Sequence, residues 1–138
     1  MTGQGWNETG EDWEEGGEPP AARGGRASPD PVAAICLVYT TWPSLVEAEA
    51  AGRAIVADGL AACANILPGM VSIYRWQDDI ERADEVVMIL KTRAGLAERA
   101  AQAVRARHPY ELPAVMLLPV TGGDPAYLAW IAAAAEAD

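Results

Sequence analysis

Two runs in this chain, Val86-Val87-Met88-Ile89-Leu90 and Ala114-Val115-Met116-Leu117-Leu118, are apolar at every position. Short apolar runs of this kind, bounded by polar and turn residues, read as strands, and a strand sends successive side chains to opposite faces. A sheet with one wet face alternates apolar and polar residues along each strand. These runs do not alternate, so both faces of the sheet they build need cover. Helices of the same chain can cover one face. Another copy of the chain is the simplest cover for the second, and the sequence therefore predicts an oligomer.

The punctuation around these runs orders the remaining elements. Residues 32–39 read as a first buried strand, followed by a turn at Thr40-Thr41-Trp42-Pro43. Ser44 and Glu47 form the S-x-x-E capping box of an alanine-rich helix, and Gly59 after Asp58 is its stop. Residues 61–76 form a long extended segment, with a bulge or bend expected at Pro68-Gly69. Gln77-Asp78-Asp79 is the polar turn of a hairpin, and residues 80–92 are its returning strand. Leu96, Ala100, Ala103 and Val104 recur at helical spacing, which predicts a helix over 96–107. Residues 114–120 form a last strand. Asp124 as N-cap, with Pro125 at the first helical position, starts a final helix.

The order βαββαβ plus a C-terminal helix is an α+β pattern. With right-handed crossovers it gives one antiparallel sheet, helices on one face and the first strand between the third and fourth, the ferredoxin-like arrangement. Cys36 and Cys63 then sit on strands that are not neighbours, as buried thiols without a disulfide between them. The hairpin is longer than a small domain needs and has the length to reach another subunit.

Composition bounds the rest. The 138 residues amount to a single domain. Residues 1–30 hold seven of the 13 glycines and no Val, Ile or Leu. Seven acidic residues there, against Arg23 and Arg26, supply half of the net charge of −10. Such a segment buries too little apolar surface to offset the entropy of ordering it, so a disordered acidic tail is expected, with Trp6 and Trp13 its only contrary features. The folded domain is expected over 31–138. A single lysine and the strongly acidic balance leave no basic stripe, which disfavours nucleic acid and anionic membrane as partners. No apolar run reaches the ~18 residues of a membrane span. The first residues lack the basic and apolar parts of a signal peptide, so a cytoplasmic protein with reduced thiols is expected.

The candidate chemistry centres on His108-Pro109-Tyr110-Glu111-Leu112-Pro113, which contains the only histidine. The prolines stiffen this loop, which presents an imidazole, a phenol and a carboxylate. That set can bind a metal or move a proton near neutral pH. Equally, His108 can cap the last helical carbonyls while Tyr110 packs in a crevice. Glu111 can accept from His108 or pair with an arginine of a neighbour. Lys91 ends an otherwise apolar strand, as a cation for an anion in a cleft or as a strand-end residue with its head in water. Tyr74 and Trp76 can line a pocket or anchor an interface. Tyr127 and Trp130 share one side of the last helix and read as packing residues. There is no nucleophile motif, phosphate-cradling loop or zinc spacing, so a non-enzymatic protein is expected. The alternatives are a hydrolase or transferase with His108 as general base and Glu111 orienting it, or an anchoring module for partner proteins.

Several rarer clusters then agree in one order: 60–69 (Leu-Ala-Ala-Cys-Ala-Asn-Ile-Leu-Pro-Gly), Ser72-Ile73-Tyr74-Arg75-Trp76, Lys91-Thr92, the His108 loop and Tyr127-Leu128-Ala129-Trp130. In these the chain resembles the CutA family of divalent-cation tolerance proteins over nearly all of 32–136. The resemblance implies a ferredoxin-like homotrimer whose long hairpins wrap neighbouring subunits, similar in topology and assembly to the PII signalling proteins. It also implies a small-ligand or metal-responsive cleft between subunits, for which the residues are His108, Tyr110, Glu111, Lys91, Trp76 and Tyr74. The metal it implies is copper. Where family members with an assigned metal site carry a strand-end cysteine and a second histidine, this chain has Thr40 and Arg107. His108 and Cys63 are the ligands that remain, a sparse set for a metal that favours several imidazole and thiolate donors.

Overall fold

A computed structural model describes residues 34–138. The tail expected over 1–30, with Trp6 and Trp13, and the start of the first strand at Val32 lie outside the described residues. Within them, β1 is Ile35–Trp42, α1 Leu45–Ala57, β2 Cys63–Trp76, β3 Asp79–Arg93, α2 Ala97–Arg107, β4 Val115–Val120 and α3 Pro125–Ala134. The strands form one antiparallel sheet in the order β2-β3-β1-β4, with α1 and α2 on one face, the ferredoxin-like arrangement. Cys36 and Cys63 are free thiols on strands that are not adjacent.

The core lies between that face and the two helices. Val38, Trp42, Met88 and Leu90 meet Ala48, Ala51 and Ile55 of α1 and Ala97, Ala100 and Val104 of α2. Burying each of the larger side chains contributes ~1.5–3 kcal/mol. Alanines and Gly52 let the helices come close: a Cβ added to Gly52 would stand 3.1 Å from Met88 Sδ and 3.2 Å from Ala64 Cβ. Ser44 caps α1 by accepting from the Glu47 N–H, and Gly59, at φ +76°, ends the turn beyond it. Asp124 Oδ2 accepts from the Tyr127 N–H to start α3.

Three boundaries differ from the sequence expectation. β1 does not turn at Thr40 but runs on to Trp42, because Thr40 and Trp42 continue the inward alternation begun by Cys36 and Val38. The Thr40 hydroxyl makes this possible: it donates to the Met88 carbonyl at 2.9 Å and accepts from Trp42 Nε1 at 2.7 Å, so a buried polar group is fully paired. The hairpin turn is shorter than Gln77-Asp78-Asp79, since Asp79 already pairs with Trp76 and Gln77 takes the left-handed conformation at φ 56°. The helix expected from Leu96 opens with a 3-10 turn, Ala94–Leu96, and becomes α-helical at Ala97.

The second face of the sheet carries Leu37 and Tyr39 of β1, Val87, Ile89 and Lys91 of β3, Leu67 of β2, and Met116 and Leu118 of β4, which are paired across the strands. Only its end at Ile35, Lys91 and Arg93 is crossed by α3, whose Ile131 is buried there. Leu67, Met116 and Leu118 are exposed. The β2–β3 hairpin also runs past the last β1 pair, Trp42 with Val86, as an arm of about seven residue pairs, or ~23 Å. A bulge between Leu67 and Met70, around Gly69 at φ +85°, sets where the arm begins. Along it Ile73, Trp76 and Ile80 are 72%, 57% and 61% exposed. Among the described residues no helix is long and apolar enough to cross a membrane.

Candidate functional site

His108 ends α2 with extended backbone, and Pro109 keeps the helix from continuing. Its imidazole turns inward, is only 9% exposed, and lies on the Trp42 ring with centroids 4.3 Å apart. Nε2 is 2.7 Å from the Thr41 carbonyl oxygen, while Nδ1 accepts from the Tyr110 N–H at 3.1 Å. A carbonyl can only accept, so Nε2 carries the proton and the ring is the neutral tautomer. Both nitrogens are occupied. The imidazole does not cap helical carbonyls; it joins the end of α2 to the end of β1 and shapes its own loop.

Glu111 is exposed and does not orient His108, because the Tyr110 amide holds the nitrogen it would need. This removes the general-base pairing considered from sequence. Tyr110 is partly exposed, with its ring 4.9 Å from His108. Burial of its hydroxyl, then the nearby Glu85, Tyr74 and Glu47, push the phenol above its ordinary value. Glu85 in turn accepts from the Ser72 hydroxyl at 2.8 Å. His108, Tyr110 and Tyr74 thus share one neighbourhood, beside the arm.

Lys91 belongs to a different one. It lies across the β2–β3 pair from Cys63, and its Nζ donates to the Tyr127 hydroxyl at 2.8 Å. That hydrogen bond chiefly raises the Lys91 pKa, against burial, with smaller contributions from Cys63 and the Tyr127 charge. Tyr127 stacks on Trp130 at 5.8 Å. Trp76 lies two residues beyond Tyr74, at the tip of the arm beside Asp79. One chain therefore splits the six cleft residues into a His108–Tyr110–Tyr74 group, with Glu111 on its loop and Trp76 two residues beyond Tyr74, and a Lys91 group. Sequence reasoning missed Glu85, Tyr127 as the partner of Lys91, and Thr40 as the partner of Trp42. Only Tyr127 left a signal, as an aromatic near the start of an apolar helix.

The residues do not fit a copper centre within one chain. His108 has no free nitrogen, and Thr40 is spent on Met88 and Trp42. Thr41, which holds His108, pairs with Val87, whereas Cys63 pairs with Lys91, four residues or ~13 Å further along β3. Among the described residues no three His, Cys, Asp or Glu side chains are grouped to hold a metal ion.

Comparison with known proteins places this fold. The family model described as CutA1 divalent ion tolerance protein matches residues 36–134. The chain belongs to the CutA1 family. Protein CutA of Mus musculus is 40% identical over 114 residues, covering 83% of this chain and 63% of the mouse protein. The Arabidopsis thaliana relative, named Protein CutA, chloroplastic, is 40% identical over 95 residues, covering 69% of this chain and 52% of its own. The chain thus spans less than two thirds of the length of these two relatives. A crystal structure of CutA from Xylella fastidiosa superposes with a TM-score of 0.71 at 40% identity, covering 74% of this chain and 98% of that one. A CutA1 chain of this kind shares the βαββαβ sheet and the matched segment from Cys36 to α3, which contains every candidate site residue named above.

Proposed function

We propose that this chain serves divalent-ion tolerance as a cytoplasmic homotrimer, with a small-ligand cleft between subunits rather than a fixed metal centre or a catalytic site. The observation that carries this reading is the uncovered apolar face of the sheet, together with an arm that exposes Trp76 on that side and Ile73 and Ile80 on the other. A monomer would leave that surface in water at ~25 cal/mol per Å² of apolar area. A second copy supplies both the cover and what one chain lacks, a way to bring Trp76 of one arm beside the Lys91 group of another. The divalent-ion response then runs through the assembly or its ligand. Copper binding at His108 and Cys63 of the same chain requires breaking one of the imidazole's two hydrogen bonds and bringing together residues ~13 Å apart along β3.

Native mass spectrometry of the full chain, purified without a metal-affinity step and then titrated with copper(II), tests this. The expected spectrum is three chains with a substoichiometric, readily lost copper adduct and any small ligand retained from the cell. One tightly held copper per chain, abolished by His108→Ala, would refute the cleft reading in favour of a metal centre.

A further inference from the structure

Lys91 and Arg93 are two residues apart on β3 and so project from the same face. Both reach α3. Tyr127, Ile131 and Ala135 follow one another at four-residue spacing, the stripe of the helix that meets the sheet: Ile131 and Ala135 are buried, and Tyr127 takes the Lys91 hydrogen bond. Arg93 Nε donates to the Ala135 carbonyl at 2.7 Å and its Nη2 to the Ala137 carbonyl at 2.9 Å. The Ala137 N–H donates to the Gly59 carbonyl at 3.0 Å, and Arg99 bonds the Asp138 carbonyl. The last carbonyls of a helix have no partners of their own, and a cation there is favourable. Arg93 therefore explains itself as the clamp that ends α3.

Lys91 has no such explanation. It stands by the first turn of α3, where the helix dipole is positive and a cation is disfavoured. Among the described residues no carboxylate lies within ion-pair distance of it. Its hydrogen-bond partner is a neutral phenol. An ammonium can only donate, so the Tyr127 oxygen uses a lone pair to accept, and its own O–H stays free to donate. Lys91 keeps two further N–H donors. Two adjacent donors carrying one positive charge match the two oxygens and single charge of a carboxylate.

We propose that Lys91 and Tyr127 form a carboxylate receptor, held together by the Arg93 clamp on α3. The inference deepens the cleft reading by naming the class of ligand that the Lys91 group takes, and rests on that reading only for Lys91 being a ligand residue. The phenol's hold on the lysine, which keeps it protonated, is consistent with a site built for an anion.

Because Lys91 is the only lysine in the chain, its chemistry can be read directly. The full-length protein is treated with an acetylating reagent, and the rate at Lys91 is followed by peptide mass mapping in sodium acetate, sodium phosphate or sodium chloride of equal ionic strength. Acetate is expected to slow modification of Lys91 severalfold relative to chloride and more than phosphate does. Tyr127→Phe should abolish that protection, and Arg93→Gln should weaken it by loosening α3. Equal rates in acetate and chloride, or protection unchanged in Tyr127→Phe, would overturn the proposal. Light scattering on the same samples separates the two readings: a single-chain mass with acetate protection intact would sink the trimeric assembly and leave the receptor standing.

Discussion

Buried hydrogen bonds of Thr40 with Met88 and Trp42, and of His108 with the Thr41 carbonyl, lock the end of β1 to the sheet and to α2. Replacing His108 by alanine removes the ring from Trp42 and leaves the Thr41 carbonyl without its imidazole donor. The expected loss is about 2 kcal/mol in urea unfolding, with the oligomeric mass unchanged. Unaltered stability would show that the imidazole is not a tie. Three other groups set the alkaline behaviour. Burial raises Cys36, burial and Glu85 raise Tyr110, and Tyr127 raises Lys91, from ordinary values of 9.0, 10.0 and 10.5. A group whose pKa is higher folded than unfolded binds its proton more tightly when folded, so its contribution is complete below the unfolded value and fades as pH rises through the folded one. Stability should therefore hold through neutral pH and decline above about pH 9, less steeply in Tyr110→Phe when melting is followed against pH. The residue type of this chemistry is legible in the sequence, since a lone histidine opening a loop with two prolines stands out. Its partner is not: Thr41 lies 67 residues away, and only the fold brings its carbonyl to Nε2.

Among the elements, the apolar runs, the S-x-x-E box and the Asp124-Pro125 start are local signals, and the helices and strands they mark form close to where the sequence places them. The end of β1 was hidden because Thr40-Thr41-Trp42-Pro43 has turn-like composition, while burial of Trp42 and the Thr40 hydroxyl bonds favour strand. The packing of α3 was hidden for another reason. Its apolar residues surround the helix, so periodicity does not say which side meets the sheet, and the answer comes from Arg93 and Gly59. Gly59 is required twice over: by its φ of +76°, and because a Cβ would come within 3.0 Å of the Ala137 nitrogen. Gly59→Ala should cost about 1–2 kcal/mol. Gly95→Ala, whose Cβ would meet nothing within 4 Å, should be near neutral in the same denaturation assay. Equal losses at both positions would argue against the Gly59 contact.

At the scale of the whole molecule, the two all-apolar runs announce a sheet that needs cover on both faces, and the fold supplies cover for only one. Leu67, Met116 and Leu118 stand exposed on the second face, and the arm exposes Trp76 on that side and Ile73 and Ile80 on the other, a set of large apolar side chains that calls for a partner. The same surface accounts for a hairpin that outruns β1 and for cleft residues that one chain leaves apart. The need for a partner was legible in the sequence, while which residues would face which in a second copy depends on geometry between chains that no local pattern records. Light scattering on the full chain at micromolar concentration measures this need directly. The mass expected is three times 14.6 kDa, unchanged on dilution through the micromolar range. A folded species of 14.6 kDa under those conditions would contradict it.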